Sequence, residues 1–477
     1  MLHAQLTPEA QRRLTSQNRN STISSIIIAF LTIILTALVL GLFLLNPMTK
    51  EIPVIITYNA ATEEEPPPEP PKKTTSPKKK PASPSSTMAK VITSTAPSPT
   101  SVPVPDTIAD SPSVEFGESI DFGDGWGTQG MGSGFESIPA GMRSRCSPEE
   151  RAKRMKESGG NANAEKAVMK ALRWLKDTQN EDGSWGDKYP VAMTGFAVLA
   201  YLGHCETPKS PEFGDSVERG IIYLVNIGIK KQDLLSTPNL KGYSVAYEHG
   251  IATYALAEST TFCNELRIDI PNLIEVTKAA GDRIMEGQTK GGGYVYGLKN
   301  SGNSGDNSVG YWQIQALKAC KHTKLWPETK FKKPSKNAID FIQRVQGQNG
   351  AIGYRESSTK SPGLTGGGVL CMQFWGEGDS KPAKNGIEYI RENTQFEWGK
   401  NSSNLYYHYY NAQAMINAGG ADWKWYNKLF RDTLIDAQNK DGSWKQKMTH
   451  GPKNTHMATC LGTFMLEVYY RFLPGSK

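Results

Sequence analysis

The chain has 477 residues, with 54 Lys and Arg against 47 Asp and Glu, for a net charge of +7. That length holds a large folded domain plus accessory segments. The basic excess sits mainly in Lys runs of residues 47–145 and of the C-terminal part, with no nucleic-acid motif beside it, so it reads as solvated surface and nucleic-acid binding is excluded.

Residues 1–22 form a short polar segment, and residues 23–46 a predicted transmembrane helix. From Ser24 to Leu45 the sequence SSIIIAFLTIILTALVLGLFLL carries no charge. At helical rise it spans about 33 Å, enough for the hydrocarbon core of a bilayer. A cleaved signal peptide would have a shorter apolar stretch and a small-residue cleavage site. Arg12, Arg13 and Arg19 precede the span and Lys50 follows it. This bias predicts a cytoplasmic N-terminus and an extracytoplasmic remainder. Residues 47–145 are crowded with Pro, Ser, Lys and then Gly; a stretch such as EEEPPPEPPKKTTSPKKKPASPSS has too little apolar surface to fold and predicts a disordered tether.

Residues 146–477 repeat at intervals of roughly fifty. Six amphipathic runs end on Leu175, Leu224, Ile284, Ile342, Ile390 and Leu434. Each is followed by a loop rich in Gly, Asn and aromatics, then by a second run that is apolar nearly all round, from VAMTGFAVLAYLG to THMATCLGTFMLEVYY. Pairs of this kind suit a double ring with the apolar helices inside. Two loops share a phrase, QNEDGSW after Leu175 and QNKDGSW after Leu434. The Asp-Gly step favours a tight turn, the Gln amide serves backbone groups at helix ends, and the Trp covers the preceding helix. Gln179, Trp185, Gln438 and Trp444 are therefore structural clips, not catalytic groups.

Lys170-Ala171, Trp174-Leu175, Gln179, Gly183 and Trp185 match in full the QW motif of the squalene and oxidosqualene cyclases. The last copy has Thr433 in place of the aromatic, and the fourth, with Phe341-Ile342, Gln346 and Gly350, has Ile352 in place of the Trp. The resemblance covers roughly residues 160–477. It implies an all-α fold, the α6/α6 toroid shared by terpene cyclases and protein prenyltransferase β-subunits.

The chemistry of those families is less visible. No two Asp residues are adjacent, so neither a DxDD nor a DDxxD motif is present, and one toroid stands where a cyclase has two. The prenyltransferase resemblance raises zinc, held there by Asp, Cys and His near the starts of inner helices. His249, His408 and His456 lie near such starts, as does Asp306, and would share one mouth if the inner helices run parallel. The alternative is that they cap helices or face a wet cavity. No Asp-x-Cys signature accompanies them, so no metal and no other cofactor is expected. A GCGEQ thioester motif is likewise absent. Cys205, Cys263 and Cys320 fall near the ends of consecutive inner helices and read as buried thiols, with pairing between neighbours as the alternative. Tyr247, Tyr311, Trp312, Tyr406, Tyr407, Tyr409 and Tyr410 either fill the ring or line a site for an apolar or isoprenoid-like ligand.

The sequence thus predicts a membrane-anchored, extracytoplasmic toroid that binds an apolar ligand, a lipid or an envelope protein. The ligand-cavity candidates are His249, Asp306, Tyr311, His408, Tyr409 and His456. Two alternatives stand beside it: an isoprenoid-class enzyme with Asp306 or His249 as a non-standard acid, and an envelope scaffold.

Overall fold

The structure, a computed structural model, describes residues 144–471 except 233, 241, 243, 300–301, 362 and 447–453. The predicted span at 23–46 and nearly all of the tether lie outside the described residues. Among the described residues no helix is long and apolar enough to cross a membrane.

A 3-10 turn at Ser144–Cys146 leads into α1, Pro148–Glu157, started by Pro148 and capped by Ser147, whose Oγ accepts from the Glu150 amide. Twelve helices follow in six pairs: α2 Ala162–Asp177 and α3 Pro190–Gly203; α4 Gly214–Lys230 and α5 Ser244–Leu266; α6 Leu273–Glu286 and α7 Asn307–His322; α8 Thr329–Arg344 and α9 Thr365–Phe374; α10 Lys381–Asn393 and α11 Leu405–Ala418; α12 Gly420–Asp436 and α13 Thr455–Glu467. No strand occurs among the described residues. The first helix of each pair buries one stripe, as α8 does with Phe331, Ala338, Ile339, Phe341 and Ile342. The second is buried nearly all round, as in α3, where every residue from Val191 to Gly203 is buried. The second helices accordingly form the inner ring and the first helices the outer one.

Small residues bring the inner helices together at matched heights. A Cβ on Gly195 of α3 would meet Ile251 of α5 at 2.9 Å, and one on Gly367 of α9 would meet the Tyr311 ring of α7 at 2.2 Å. Positions early in one helix touch positions early in the next, so the inner helices run parallel and start at one mouth. Each inner helix packs on its successor, and α13 packs back on α3 and α2. The toroid is closed.

The clips are the joints between repeats. The Nε2 of Gln179 donates to the carbonyls of Gly183 at 2.9 Å and Ser216 at 3.0 Å, the latter in the first turn of α4. Gln346 does the same to Gly350 and to Pro382 at the start of α10, at 3.0 and 2.9 Å. Gln438 bonds Gly442 at 2.9 Å and crosses to Ala167 of α2 at 2.8 Å, which joins the last repeat to the first. A fourth clip has the same geometry. Gln288 bonds Gly292 at 3.0 Å and Pro334 of α8 at 2.8 Å. Six residues after each Gln comes a buried side chain, Trp185, Tyr294, Ile352 or Trp444. The Nε1 groups of Trp185 and Trp444 donate to the carbonyls of Leu175 and Leu434 at 2.6 and 2.8 Å, tying each loop to the helix it leaves.

Two joints remain, and histidines make them. His249 of α5 takes the Leu235 amide of its own loop on Nδ1 at 3.1 Å and places Nε2 at 3.2 Å from the Ala280 carbonyl of α6. His408 of α11 places Nε2 at 2.6 Å from the Ser402 carbonyl of its loop and Nδ1 at 2.7 Å from the Tyr426 hydroxyl of α12. Each ring ties a loop to the next outer helix, as each Gln does. Each Nε2 faces a carbonyl, so the neutral ring carries its proton there and Nδ1 accepts. Four glutamines and two histidines thus join six repeats.

Candidate functional site

At the N-terminal mouth, Asp306 caps α7. Its Oδ1 accepts from the Ser308 amide at 2.9 Å and from the Ser308 hydroxyl. Its Oδ2 accepts from the Tyr296 hydroxyl at 2.8 Å and from Arg355 Nε at 3.3 Å. The Arg355 guanidinium also stands 5.5 Å from the centre of the Tyr296 ring, with more than half of its side chain exposed. Tyr354 beside it is 47% exposed, the most open aromatic ring among the described residues. Tyr247 donates to Ser308 Oγ at 2.7 Å, and Tyr406 accepts from Trp312 Nε1 at 2.7 Å. Tyr247, Tyr296, Tyr406 and Tyr407 are half-buried. The mouth is therefore a rim of tyrosines around one ion pair.

Behind the rim the ring is filled. Trp312 of α7 stacks on Tyr409 of α11, centroids 5.4 Å apart and planes within 9°. Phe196 of α3 meets Trp312 edge-on at 5.3 Å, and Phe464 of α13 lies 5.4 Å from Tyr409. Helices α3, α7 and α11 are not neighbours in the ring, so these contacts cross its axis. Tyr311 and Tyr410, 5.7 Å apart, complete the plug, and all of these rings are buried.

The C-terminal end is charged. Tyr409 donates to Gln315 Oε1 at 2.8 Å, at the boundary between the aromatic and charged layers. Arg145 pairs with Glu258 of α5 at 3.3 Å, and Arg471 with Glu467 of α13 at 3.4 Å, all four of them buried. A Cβ on Gly203 would fall 2.1 Å from Glu467 Oε2, so a larger residue at the end of α3 would make that carboxyl shift. Burial pushes the Glu467 carboxyl up to about 8. Nearby, His204 bridges Glu165 and Glu206 at 2.9 Å each. Burial alone would lower its pKa, but the bonds to Glu165 and Glu206 prevail and raise it to about 9.

The sequence-derived candidates separate in the structure. Asp306 is at the mouth. Tyr311 and Tyr409 are in the plug. His249 and His408 are in the joints, turned toward the outer helices, and burial lowers their pKa values to about 3 and 4. His456 is half-buried near the start of α13, 4.9 Å from the Trp174 ring. Among the described residues no three His, Cys, Asp or Glu side chains come together as a metal site. Cys205 departs from the buried-thiol reading: it is bonded to Cys146, while Cys263, Cys320, Cys371 and Cys460 are buried free thiols. Its partner precedes the first repeat, where a comparison of equivalent repeat positions does not look. The charged end was also missed. Its signal was a lone Glu in each of two apolar runs, Glu258 in YALAEST and Glu467 in FMLEVYY.

No protein-family model matches the chain, and no curated protein does. Among solved structures, the GH76A alpha-1,6-mannanase from Salegentibacter sp. is similar at 11% identity, over 65% of this chain and 99% of that one, with a TM-score of 0.47. The type II terpene cyclase MstE from Scytonema is similar at 11% identity, over 65% and 97% of the two chains, with a TM-score of 0.42. A glycosidase is similar at 8% identity, over 65% and 96%, with a TM-score of 0.41.

Proposed function

We propose that this chain is a membrane-tethered binding module whose toroid takes an envelope protein partner at the tyrosine mouth. The observation that carries the reading is the plug: Trp312, Tyr409, Phe196 and Phe464 meet across the ring axis, in the space an enclosed isoprenoid would need. What is left for recognition is the rim. Tyr and Arg are the side chains that protein interfaces favour, because they offer large rigid contact area with a polar end. Asp306 is a poor candidate for the acid of an isoprenoid enzyme, since Ser308, Tyr296 and Arg355 already occupy both its oxygens. The predicted span at 23–46 and the predicted tether favour display outside the cytoplasm. So does the Cys146–Cys205 disulfide, a bond that persists in oxidising compartments.

A photo-crosslinker placed at Tyr354 in the full chain, in its own membrane, tests this. A discrete protein adduct is expected, weakened at least about tenfold by Arg355→Ala. Thermal stability should fall by no more than about 1 kcal/mol, because the Arg355 side chain is largely exposed and Tyr296 and Ser308 still bond the buried Asp306 carboxylate. A lipid adduct, or one indifferent to Arg355, would sink the proposal.

A further inference from the structure

Arg145 precedes every helix of the toroid, yet its side chain is 0% exposed. Its Nη1 donates to the Leu202 carbonyl of α3 at 3.1 Å and to Glu258 Oε2 of α5 at 3.3 Å. The guanidinium carbon stands 5.6 Å from the centre of the Phe262 ring. A carboxylate, a carbonyl and an aromatic face are the surfaces a planar guanidinium uses best. One residue on, Cys146 is bonded to Cys205, and Arg151 Nη1 donates to the Arg145 carbonyl at 2.6 Å.

We propose that the C-terminal end of the ring carries a guanidinium pocket built by Leu202, Glu258 and Phe262, filled in cis by Arg145 and kept filled by the Cys146–Cys205 disulfide. Two features set it apart from an ordinary core ion pair. First, the walls belong to the inner ring, whereas the occupant arrives from outside the repeats on the segment that continues into the tether. Second, the fit leaves polar capacity over: among the described residues Glu258 Oε1 is buried without a hydrogen-bond partner, as are Nε and Nη2 of Arg145. Buried groups in that state have a strong preference for a better-matched partner. A dithiol reductant opens the latch by exchange. One thiolate attacks a sulfur of the disulfide, the second resolves the mixed disulfide, and Cys146 and Cys205 leave as thiols while the reductant becomes a cyclic disulfide. The pocket then accepts an arginine side chain from another chain, in competition with Arg145. This site lies at the opposite end of the ring from the tyrosine mouth and is independent of what binds there.

The test uses the full chain in detergent with the substitution Arg145→Ala. Millimolar methylguanidinium is expected to raise its thermal midpoint saturably. It should do nothing to the oxidised parent, and methylammonium should not replace it. Adding Glu258→Gln should weaken the response at least about tenfold, since the bond to the carboxylate is charge-assisted. A second measurement serves if Arg145→Ala fails to fold. A labelled peptide with a single arginine should bind the parent chain only after dithiothreitol, and should bind Cys146→Ser without it. Equal rescue by methylammonium, a response that ignores Glu258→Gln, or peptide binding indifferent to reduction would each overturn the proposal.

Discussion

Trp444→Ala is expected to lower the stability of the toroid by about 4 kcal/mol, and Trp185→Ala by a similar amount. Both rings are 0% exposed, and both Nε1 groups are bonded to a buried helix-end carbonyl. Removing either ring opens a cavity; loss of Trp444 also takes the side-chain donor from the Leu434 carbonyl, whereas the Leu175 carbonyl keeps Thr178. The Trp185 ring also presses on Gly220 of α4, where a Cβ would come within 2.9 Å of it, so the cavity opens between two repeats rather than inside one. Gln438→Ala is the milder companion. It removes the side-chain bonds to the Gly442 and Ala167 carbonyls and should cost about 2 kcal/mol. Gly442→Ala belongs with the tryptophans: φ is 97° there, and a Cβ would lie 2.3 Å from the Lys170 carbonyl. Equilibrium denaturation of each variant gives these values, and a loss below about 1 kcal/mol for Trp444→Ala would mean that the clips do not hold the ring.

Acid is expected to undo the two histidine joints. The pKa of His249 is lowered from 6.5 to about 3 and that of His408 to about 4, in both cases chiefly by burial. A depressed folded-state pKa means that the unfolded chain binds the proton more tightly. The stabilisation is therefore complete above about pH 6.5 and is lost as pH falls toward 4. At pH 4 that amounts to about 3 kcal/mol for each histidine. Protonation would also remove the lone pair with which Nδ1 of His249 accepts from the Leu235 amide. Glu467 runs the other way. Its carboxyl is held up to about 8, so its contribution is greatest at low pH and is lost as pH rises through that value. It offsets part of the acid limb in the parent chain, so the comparison must be between variants. His408→Gln should flatten the acid limb by the equivalent of one proton, and a limb unchanged in the His249→Asn, His408→Gln double variant would refute this origin.

The repeats were legible because their signal is local. A helical run, four residues to Gln and four more to Gly can be read along the chain, and the structure places Gln179, Gln346 and Gln438 in one geometry. The Gln288 clip of the third repeat obeys the same spacing from Ile284 to Gln288 and Gly292, hidden only because Tyr294 stands for the Trp in a run of glycines. The histidine joints follow a different logic. The bonding atom comes from the inner helix and reaches back to the loop, so no spacing in the loop announces it. For the same reason His249 and His408 resemble ligands when judged by their height in the helix. Height along a helix is visible in a sequence, but which way the ring turns depends on what packs behind it, here α6 and α12. Likewise, Arg145 looks like the last residue of a tether until its contacts with α3 and α5 are seen.

The closure of the ring also sets an order in time. Three of the glutamine clips reach forward to the next outer helix, 36 to 46 residues on, whereas Gln438 reaches back across 271 residues to Ala167. The added loop entropy is modest, about 2 kcal/mol on the logarithmic scale of loop length. The wait is not. At ribosomal speeds of roughly 5–20 residues per second, α2 emerges on the order of tens of seconds before α12 exists to cover it. During that interval the face around Ala167 and Lys170 is an open edge, held by nothing that the finished toroid uses. A nascent chain stalled ahead of α12 would present that edge to any chaperone, or to the equivalent edge of a second chain.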